Sequence, residues 1–168
     1  NKALAGAGIE LIGMERREFL LKDALEQVKP DYDFIFIDCP PSLELLTLNA
    51  LCAADAILVP VQGEYFALEG LSDLMNTVRI VRRSLNPRLE LEGVLLTMFD
   101  GRTNLALQVA EEVKHYFPGK VYATVIPRNV RLSEAPSHGK PITAYDRTSR
   151  GAEAYTAFAA EFLKKQSA

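Results

Sequence analysis

Residues 32–42 have the sequence YDFIFIDCPPS, a short apolar run that ends in a carboxylate and two prolines. A run such as Phe34–Ile37, without polar alternation, is typical of a strand buried on both faces of a parallel sheet. Ligands of open α/β sheets bind at the carboxyl ends of the strands, where Asp38 falls. Pro40 and Pro41 have a fixed φ and cannot continue a strand, so they hold the exit loop in one shape. The pattern indicates a nucleotide or metal site, although an aspartate that only opens a turn or caps the next helix also fits.

Length and composition indicate a globular protein. The chain has 168 residues, of which 48% are hydrophobic, so we predict a single domain over residues 1–168. The net charge of −3 argues against general coating of nucleic acid but leaves local basic patches open. Cys39 and Cys52 form no paired framework and suit a reducing compartment. The sequence has neither a signal peptide nor an apolar run of about 18 residues, so we expect a cytoplasmic protein without membrane contact.

Apolar strand-like runs alternate with helical patterns along the chain. We predict strands over residues 33–38, 55–61, 91–99 and 121–126, and helices over residues 16–29, 43–53, 71–85, 105–117 and 151–165. Strands that alternate with helices of ten or more residues imply right-handed βαβ crossovers. The predicted fold class is therefore α/β, with a mainly parallel sheet and helices on both faces.

The longest stretch without a periodic pattern runs from residue 127 to about residue 149. Residues 128–150 hold five Lys/Arg and two acidic residues, which leaves 14 and 20 of the totals of 19 and 22 for the rest of the chain. Loops of this length are usually functional or disordered, and the prolines here argue against disorder. Arg102 follows a predicted strand and should open onto the same sheet edge. A solvated loop with incidental charge remains one explanation, and a surface for nucleotide phosphate or nucleic-acid backbone is the other.

Several long motifs resemble the ParA/Soj chromosome-partitioning ATPases. They are IDCPPSL at residues 37–43, VPVQGEYFALEGL at 59–71, LTMFDGRTNL at 96–105, VIPRNVRLSEAPSHGKPI at 125–142 and SRGAE at 149–153. The similarity covers nearly the whole chain, in order. It implies a P-loop NTPase-like fold of the deviant Walker subclass and an ATP-dependent partitioning protein that associates with the nucleoid in the cytoplasm.

The opening strand and the Gly-rich phosphate loop of that family have no counterpart in this sequence, in which nothing matches GxxxxGK[ST]. We therefore expect the chain to be the carboxyl-terminal two-thirds of a ParA protein. The intact protein should hydrolyse ATP, and the chain alone should not. Because the missing strand would pair with residues 33–38, we expect an oligomer or a rearranged sheet edge, with residues 8–13 as one possible substitute.

The resemblance also implies roles for individual residues on the nucleotide side. Asp38 resembles the Walker B carboxylate, which holds Mg²⁺ through water and serves catalysis. Pro40 and Pro41 resemble the switch segment that responds to the γ-phosphate. Pro127 and Asn129 resemble the contacts on the adenine side. The implied cofactors are ATP and Mg²⁺.

On the partner side, the resemblance implies a homodimer that encloses ATP and Mg²⁺ and binds DNA without sequence specificity. Arg102 and Arg131 match DNA-binding positions, and Arg128 and Lys140 are weaker candidates that rest on charge alone. A ParB-like partner would stimulate hydrolysis. Two alternatives stay open: a non-catalytic DNA-binding or dimerisation module, and a MinD-like division-site ATPase. The MinD-like alternative requires an amphipathic membrane-binding tail, whereas the last predicted helix has a core-forming pattern.

Overall fold

The computed structural model describes residues 2–40, 42 and 44–167. In chain order, the elements are α1 (Lys2–Glu10), α2 (Leu20–Leu25), α3 (Leu45–Ala53), β1 (Ala56–Gln62), α4 (Ala67–Ser84), β2 (Glu90–Thr97), α5 (Asn104–Tyr116), α6 (Val130–Glu134), α7 (Ile142–Tyr145) and α8 (Arg150–Gln166). Short 3-10 turns lie at Leu11–Gly13, Lys29–Asp31 and Ala135–His138. The α/β fold class is confirmed.

The chain divides into two compact units. The first unit consists of Asn1–Ile57 and Ser72–Leu91, and the second of Leu58–Leu71 and Glu92–Ala168. A division into compact units does not test whether the chain is one domain, so the single domain over residues 1–168 stays a prediction.

The core of the first unit forms between α3 and the second half of α4. Its buried residues are Leu51, Val78, Val81 and Leu89, and Leu48, Ala54, Ile57, Leu74, Met75 and Leu85 pack against them. The buried Asn86 donates from its Nδ2 to the carbonyls of Leu51 (2.9 Å) and Ala54 (2.8 Å). Because the last carbonyls of a helix have no partner within it, this side chain closes the carboxyl end of α3.

The sheet is parallel, and α4 forms the crossover between its two hydrogen-bonded strands, β1 and β2. Residues 120–128 also run along β2, where Val94 and Phe99 form isolated parallel bridges with Val121 and Pro127. The predicted strand at residues 121–126 is therefore present only as two bridges with an interruption between them. In the core of the second unit, Leu95, Tyr122 and Ile126 are buried, and Leu58, Leu132, Ala154, Phe158 and Phe162 pack against them.

The predicted buried strand at residues 33–38 is wrong for this structure. These residues form no strand and are largely exposed, with Phe36 71% exposed. A parallel strand needs a neighbour that supplies its hydrogen bonds, and the described ladders run only between β1, β2 and residues 121–127. Residues 8–13, the proposed substitute, form the end of α1 and a 3-10 turn instead.

The helix predicted over residues 16–29 is shorter than its apolar pattern suggests. Only α2 at Leu20–Leu25 is α-helical within the described part of that range. Arg16 has a φ of 53°, in the left-handed region that a continuous right-handed helix cannot include. The apolar spacing therefore indicated a helix in this region, but α2 starts later and ends earlier than the predicted range of residues 16–29.

Glu161 on α8 takes the place of a neighbouring strand at the interruption near Ala123. Its carboxylate accepts hydrogen bonds from the backbone N–H groups of Ala123 and Thr124, both at 2.8 Å. Burial raises the pKa of Glu161, but these hydrogen bonds outweigh that effect, so the pKa lies below the usual value of a glutamate. A depressed folded-state pKa means stability that is present above the unfolded pKa and lost as pH falls through the folded one.

Replacing Glu161 by glutamine should lower the free energy of unfolding by about 1–2 kcal/mol near neutral pH. The carboxylate accepts two hydrogen bonds through its two oxygens, whereas glutamine has one acceptor oxygen and no charge. The difference from the unmodified chain should shrink below the unfolded-state pKa of about 4.3, as Glu161 becomes protonated. Urea denaturation at several pH values measures both effects. Glu112→Gln, at an exposed site on α5, is the control; an equal loss in both variants would contradict the role of Glu161.

Candidate functional site

The carboxyl end of β2 lies beside the start of the long basic loop. Phe99 donates its N–H to the carbonyl of Ile126 (3.0 Å), and Arg128 donates its N–H to the carbonyl of Phe99 (3.2 Å). These bonds flank the Phe99–Pro127 bridge. The turn that carries Arg102 and the segment that begins at Pro127 therefore share one sheet edge.

Arg102 is exposed and paired with a carboxylate. Its Nε and Nη2 donate to Asp100 Oδ1 (2.8 Å) and Oδ2 (2.6 Å), and its backbone N–H donates to Asp100 Oδ1 (3.1 Å). The hydrogen bonds from Arg102, with a smaller contribution from the charge of Arg128, lower the pKa of Asp100 to about 2. The Arg102 side chain is 89% exposed. At neutral pH the turn therefore presents a guanidinium whose charge is offset by its own carboxylate.

Arg131 is also held by carboxylates, in a network within the loop. Its Nη1 lies 2.9 Å from Glu134 Oε2, and its Nε lies 3.5 Å from Asp146 Oδ2. The Tyr145 hydroxyl donates to Glu134 Oε2 (3.2 Å), and the His138 ring stacks on Tyr145 with a centroid separation of 4.9 Å. This network orders a segment for which the sequence predicted no regular structure.

Asn129 caps the short helix α6. Its Oδ1 accepts a hydrogen bond from the N–H of Arg131 (2.8 Å), as an amide at an N-cap does. The Nδ2 group remains as the donor that Asn129 could offer to a ligand. Lys140 follows Gly139, whose φ of 61° ends the 3-10 turn, and its side chain is exposed.

Asp38 lies in the first unit, on the exposed segment before Pro40, which is also exposed; Pro41 lies outside the described residues. Burial and the charge of Asp38 raise the pKa of the neighbouring Cys39 thiol. Among the described residues, no three His, Cys, Asp or Glu side chains are grouped so that they could hold a metal ion. Mg²⁺ commonly takes one or two protein carboxylates together with water and phosphate oxygens. Asp38 thus stands outside any group of three ligating side chains among the described residues, and the sequence has no GxxxxGK[ST] loop, so a complete Mg²⁺–nucleotide site is not formed by them.

The carboxylates that hold the two arginines were missed in the sequence, although a signal was present. Asp100 stands two residues before Arg102, and Glu134 stands three residues after Arg131. Both spacings allow ion pairs within a turn or within one helical turn. Charge counting alone treated the arginines as free cations.

Known protein families and solved structures resemble this architecture. Residues 1–91 match a family model described as an AAA domain. The chain superimposes with a TM-score of 0.81 and 36% identity on cobyrinic acid a,c-diamide synthase from Mycobacterium smegmatis with bound ATP analog and magnesium, covering 100% of this chain and 62% of that one. For the cell division ATPase MinD from Pyrococcus furiosus the TM-score is 0.69 at 27% identity, covering 88% and 58%. The parallel sheet, its helices and these likenesses define an α/β protein of the P-loop NTPase class.

Relatives with similar sequences identify the family within this class. The chain is 67% identical over 158 residues to the sporulation initiation inhibitor protein Soj of Bacillus subtilis (strain 168), covering 94% of this chain and 62% of that protein. It is 57% identical over 162 residues to the chromosome partitioning protein ParA of Myxococcus xanthus (strain DK1622), covering 96% and 57%. The chain belongs to the AAA-domain family, in its ParA/Soj group of chromosome-partitioning ATPases. It spans about three-fifths of the length of these relatives.

Within the described part of the chain, no helix has both the length and the apolar character needed to cross a membrane.

Proposed function

We propose that this chain is part of an ATP-dependent chromosome-partitioning protein that binds DNA without sequence specificity. The observation that carries the DNA-binding proposal is the sheet edge at which exposed Arg102 and Arg128 lie beside the loop that presents Arg131 and Lys140. Phosphate contacts by such side chains attract any DNA sequence and depend strongly on salt. The whole protein would act in the cytoplasm on the nucleoid, as a homodimer that a ParB-like partner stimulates.

The nucleotide roles belong to the same proposal. Asp38 would hold Mg²⁺ through water, Pro40 and Pro41 would form the switch segment, and Pro127 and Asn129 would contact the adenine. When bound, Mg²⁺ neutralises phosphate charge. Because the sequence contains no GxxxxGK[ST] phosphate loop, we propose that this chain alone does not hydrolyse ATP.

A MinD-like division-site ATPase is one alternative to the partitioning proposal, and the packing of α8 bears on it. Phe158 and Phe162 of α8 pack in the core of the second unit, and Lys165 Nζ lies 3.7 Å from the centroid of the Tyr122 ring. The apolar face of this helix is thus packed inside the unit, so α8 itself does not act as an amphipathic membrane-binding helix, which needs a free apolar face. A non-catalytic DNA-binding module remains the alternative, and it is distinguished by DNA binding that never responds to nucleotide.

Replacing Arg102 and Arg131 together by glutamine should weaken DNA binding about tenfold near 50 mM salt, because two phosphate contacts are lost. Each lost contact should also reduce the slope of log affinity against log salt concentration by about 0.9. Fluorescence anisotropy of a labelled duplex, titrated at several salt concentrations, measures the affinity and the slope. Two duplexes of unrelated sequence should give equal losses. Lys114→Gln, at a cation paired with Glu111, is the control. An unchanged slope in the double variant would refute the proposed contacts.

Replacing Asp100 by asparagine should strengthen DNA binding, by about three- to tenfold at low salt, since one negative charge is removed and the Arg102 guanidinium is released. The same anisotropy titration tests this. Asp73→Asn, at an exposed acid on α4, changes the net charge equally and should alter the affinity less. Weaker binding by Asp100→Asn would show instead that Asp100 holds Arg102 in the orientation that DNA requires.

A further inference from the structure

A second group of exposed arginines lies on α4, in the first unit. Arg79, Arg82 and Arg83, here called the α4 arginine cluster, line an open concavity of about 310 Å³ together with Pro87. Arg102 and Arg131 belong to the other unit. Neither the family motifs nor the proposed function uses the α4 arginine cluster.

The cluster is not neutralised by acids. None of its three arginines forms an ion pair with a carboxylate of the described residues, in contrast to Arg102 and Arg131. Arg79 donates from Nη1 to the amide oxygen of Asn76 (2.6 Å), which leaves its charge uncompensated.

The sequence places these like charges next to one another on the helix. Arg82 and Arg83 follow Arg79 at i+3 and i+4, where like charges each destabilise a helix by about 0.2–0.5 kcal/mol. No acidic residue occupies a position three or four residues from any member of the cluster. The arrangement therefore costs stability locally.

Favourable interaction with the helix dipole explains only part of the cluster. Arg82 and Arg83 lie in the last turn of α4, where cations are stabilised. Arg79 lies before that turn and gains little, because the dipole effect falls off within one turn. Solubility is served by interspersed charges of both signs, which this face lacks. An anionic partner accounts for all three residues.

We propose that the α4 arginine cluster binds the phosphate backbone of double-stranded DNA, as a contact surface additional to Arg102 and Arg131. The proposal rests on the proposed function in taking DNA as the partner.

The concavity is open, whereas small-ligand sites enclose most of their ligand. The span from Arg79 to Arg83 is about 6 Å along the helix axis. Duplex DNA carries one phosphate charge per about 1.7 Å of its axis, so several phosphates lie within reach of the three side chains. Guanidinium groups match phosphate oxygens in pairs.

The test is the triple variant Arg79→Gln, Arg82→Gln, Arg83→Gln in the 168-residue chain. Glutamine has nearly the helix propensity of arginine, so α4 should be retained, which circular dichroism and thermal unfolding verify. Anisotropy titrations with a labelled duplex at about 50 to about 200 mM NaCl should show at least tenfold weaker binding at the lower salt and a salt slope reduced by about 0.9 per lost contact.

The matched control removes three positive charges from ion-paired positions, in the variant Arg16→Gln, Lys29→Gln, Lys114→Gln. These side chains pair with Asp23, Asp55 and Glu111. Because both triple variants change the net charge equally, a general charge effect would affect them alike. A second cluster variant with lysine at all three positions should retain most of the affinity, which separates charge from any structural effect of the substitutions.

The outcomes distinguish this inference from the proposed function. If the glutamine cluster variant binds DNA like the control variant, the inference is overturned, while the Arg102 and Arg131 results stand on their own. If the cluster binds inorganic tripolyphosphate but its loss leaves duplex binding unchanged, the inference is also overturned, in favour of a free oligophosphate ligand. If the unmodified chain binds no duplex at any salt concentration, both proposals fail.

Discussion

Replacing Asn49 by alanine should lower the free energy of unfolding by about 3 kcal/mol, because three part-buried hydrogen bonds depend on one side chain. Asn49 is 2% exposed on α3. Its Oδ1 accepts from the N–H of Leu21 (3.1 Å), and its Nδ2 donates to the carbonyls of Arg17 (2.8 Å) and Leu45 (3.0 Å). The amide thus ties the start of α2 and the turn before it to α3.

The size of this effect follows from what alanine leaves behind. The N–H of Leu21 and the carbonyl of Arg17 lose their part-buried partner, and an unsatisfied group that is shielded from water costs about 1–3 kcal/mol. The carbonyl of Leu45 is less affected, since it can keep its helical bond within α3. Alanine also forms helix better than asparagine, but that gain is below about 1 kcal/mol and does not reverse the sign.

Urea denaturation followed by circular dichroism measures the change for Asn49→Ala. The control is Asn104→Ala, the same substitution at an exposed site in the first turn of α5, which should change stability by less than about 0.5 kcal/mol. If the two variants are equally stable, Asn49 does not anchor the first unit.

Much of the fold could be predicted from periodicity. The strands at β1 and β2 and the helices at α4, α5 and α8 carry apolar residues at the spacing that their elements require, and the structure contains all five. The burial of α4 against α3 and β1 joins elements near in sequence, whereas α8 packs on Leu95 and Tyr122 from more than thirty residues away.

The strand at residues 33–38 could not be predicted in the same way. Its apolar run signals burial on two faces, but the hydrogen-bonding neighbours that burial requires lie outside the run itself. The interruption at Ala123 and Thr124 is a related case, because the side chain that replaces the ladder comes from Glu161, far along the chain. The apolar pattern of a segment indicates that it should be buried, but it does not show which other parts of the chain would cover it or pair with it.

The candidate site was predictable in location but not in its electrostatics. A turn after one strand and a loop after the next meet at a common edge by parallel topology alone, which places Arg102 near Arg128. The pairing of Arg102 with Asp100 and of Arg131 with Glu134 depends on side-chain conformations that charge counts do not contain. That pairing lowers the net positive charge that this edge presents, and Asp100→Asn should raise it.

Replacing Gly93 by alanine should destabilise the chain by about 3 kcal/mol, because β2 has no room for a side-chain carbon at this position. A Cβ there would lie 2.6 Å from Tyr122 Cε2 and 2.8 Å from the carbonyl oxygen of Lys120. The second contact is with backbone, which cannot rotate away as a flexible side chain does.

The Tyr122 ring cannot move aside cheaply either. It is 2% exposed, its hydroxyl donates to Glu92 Oε1 (2.7 Å), and it packs edge-on against Phe158 at 4.9 Å between centroids. Making space for a methyl group would break the bridge beside Val94 or displace the ring from the core of the second unit. The loss should therefore appear in global unfolding, measured by urea denaturation.

Gly70→Ala is the control, since the same substitution should there raise the free energy of unfolding instead of lowering it. Gly70 lies on α4, and a Cβ added there would meet nothing within 4 Å. Alanine at an open helical position stabilises by about 0.5–1 kcal/mol, because it removes the conformational entropy that glycine loses on folding. A stabilising Gly70→Ala together with a strongly destabilising Gly93→Ala would locate the constraint at the contact between Gly93 and Tyr122. Equal effects of the two substitutions would mean that residues 120–122 do not lie against β2 in solution.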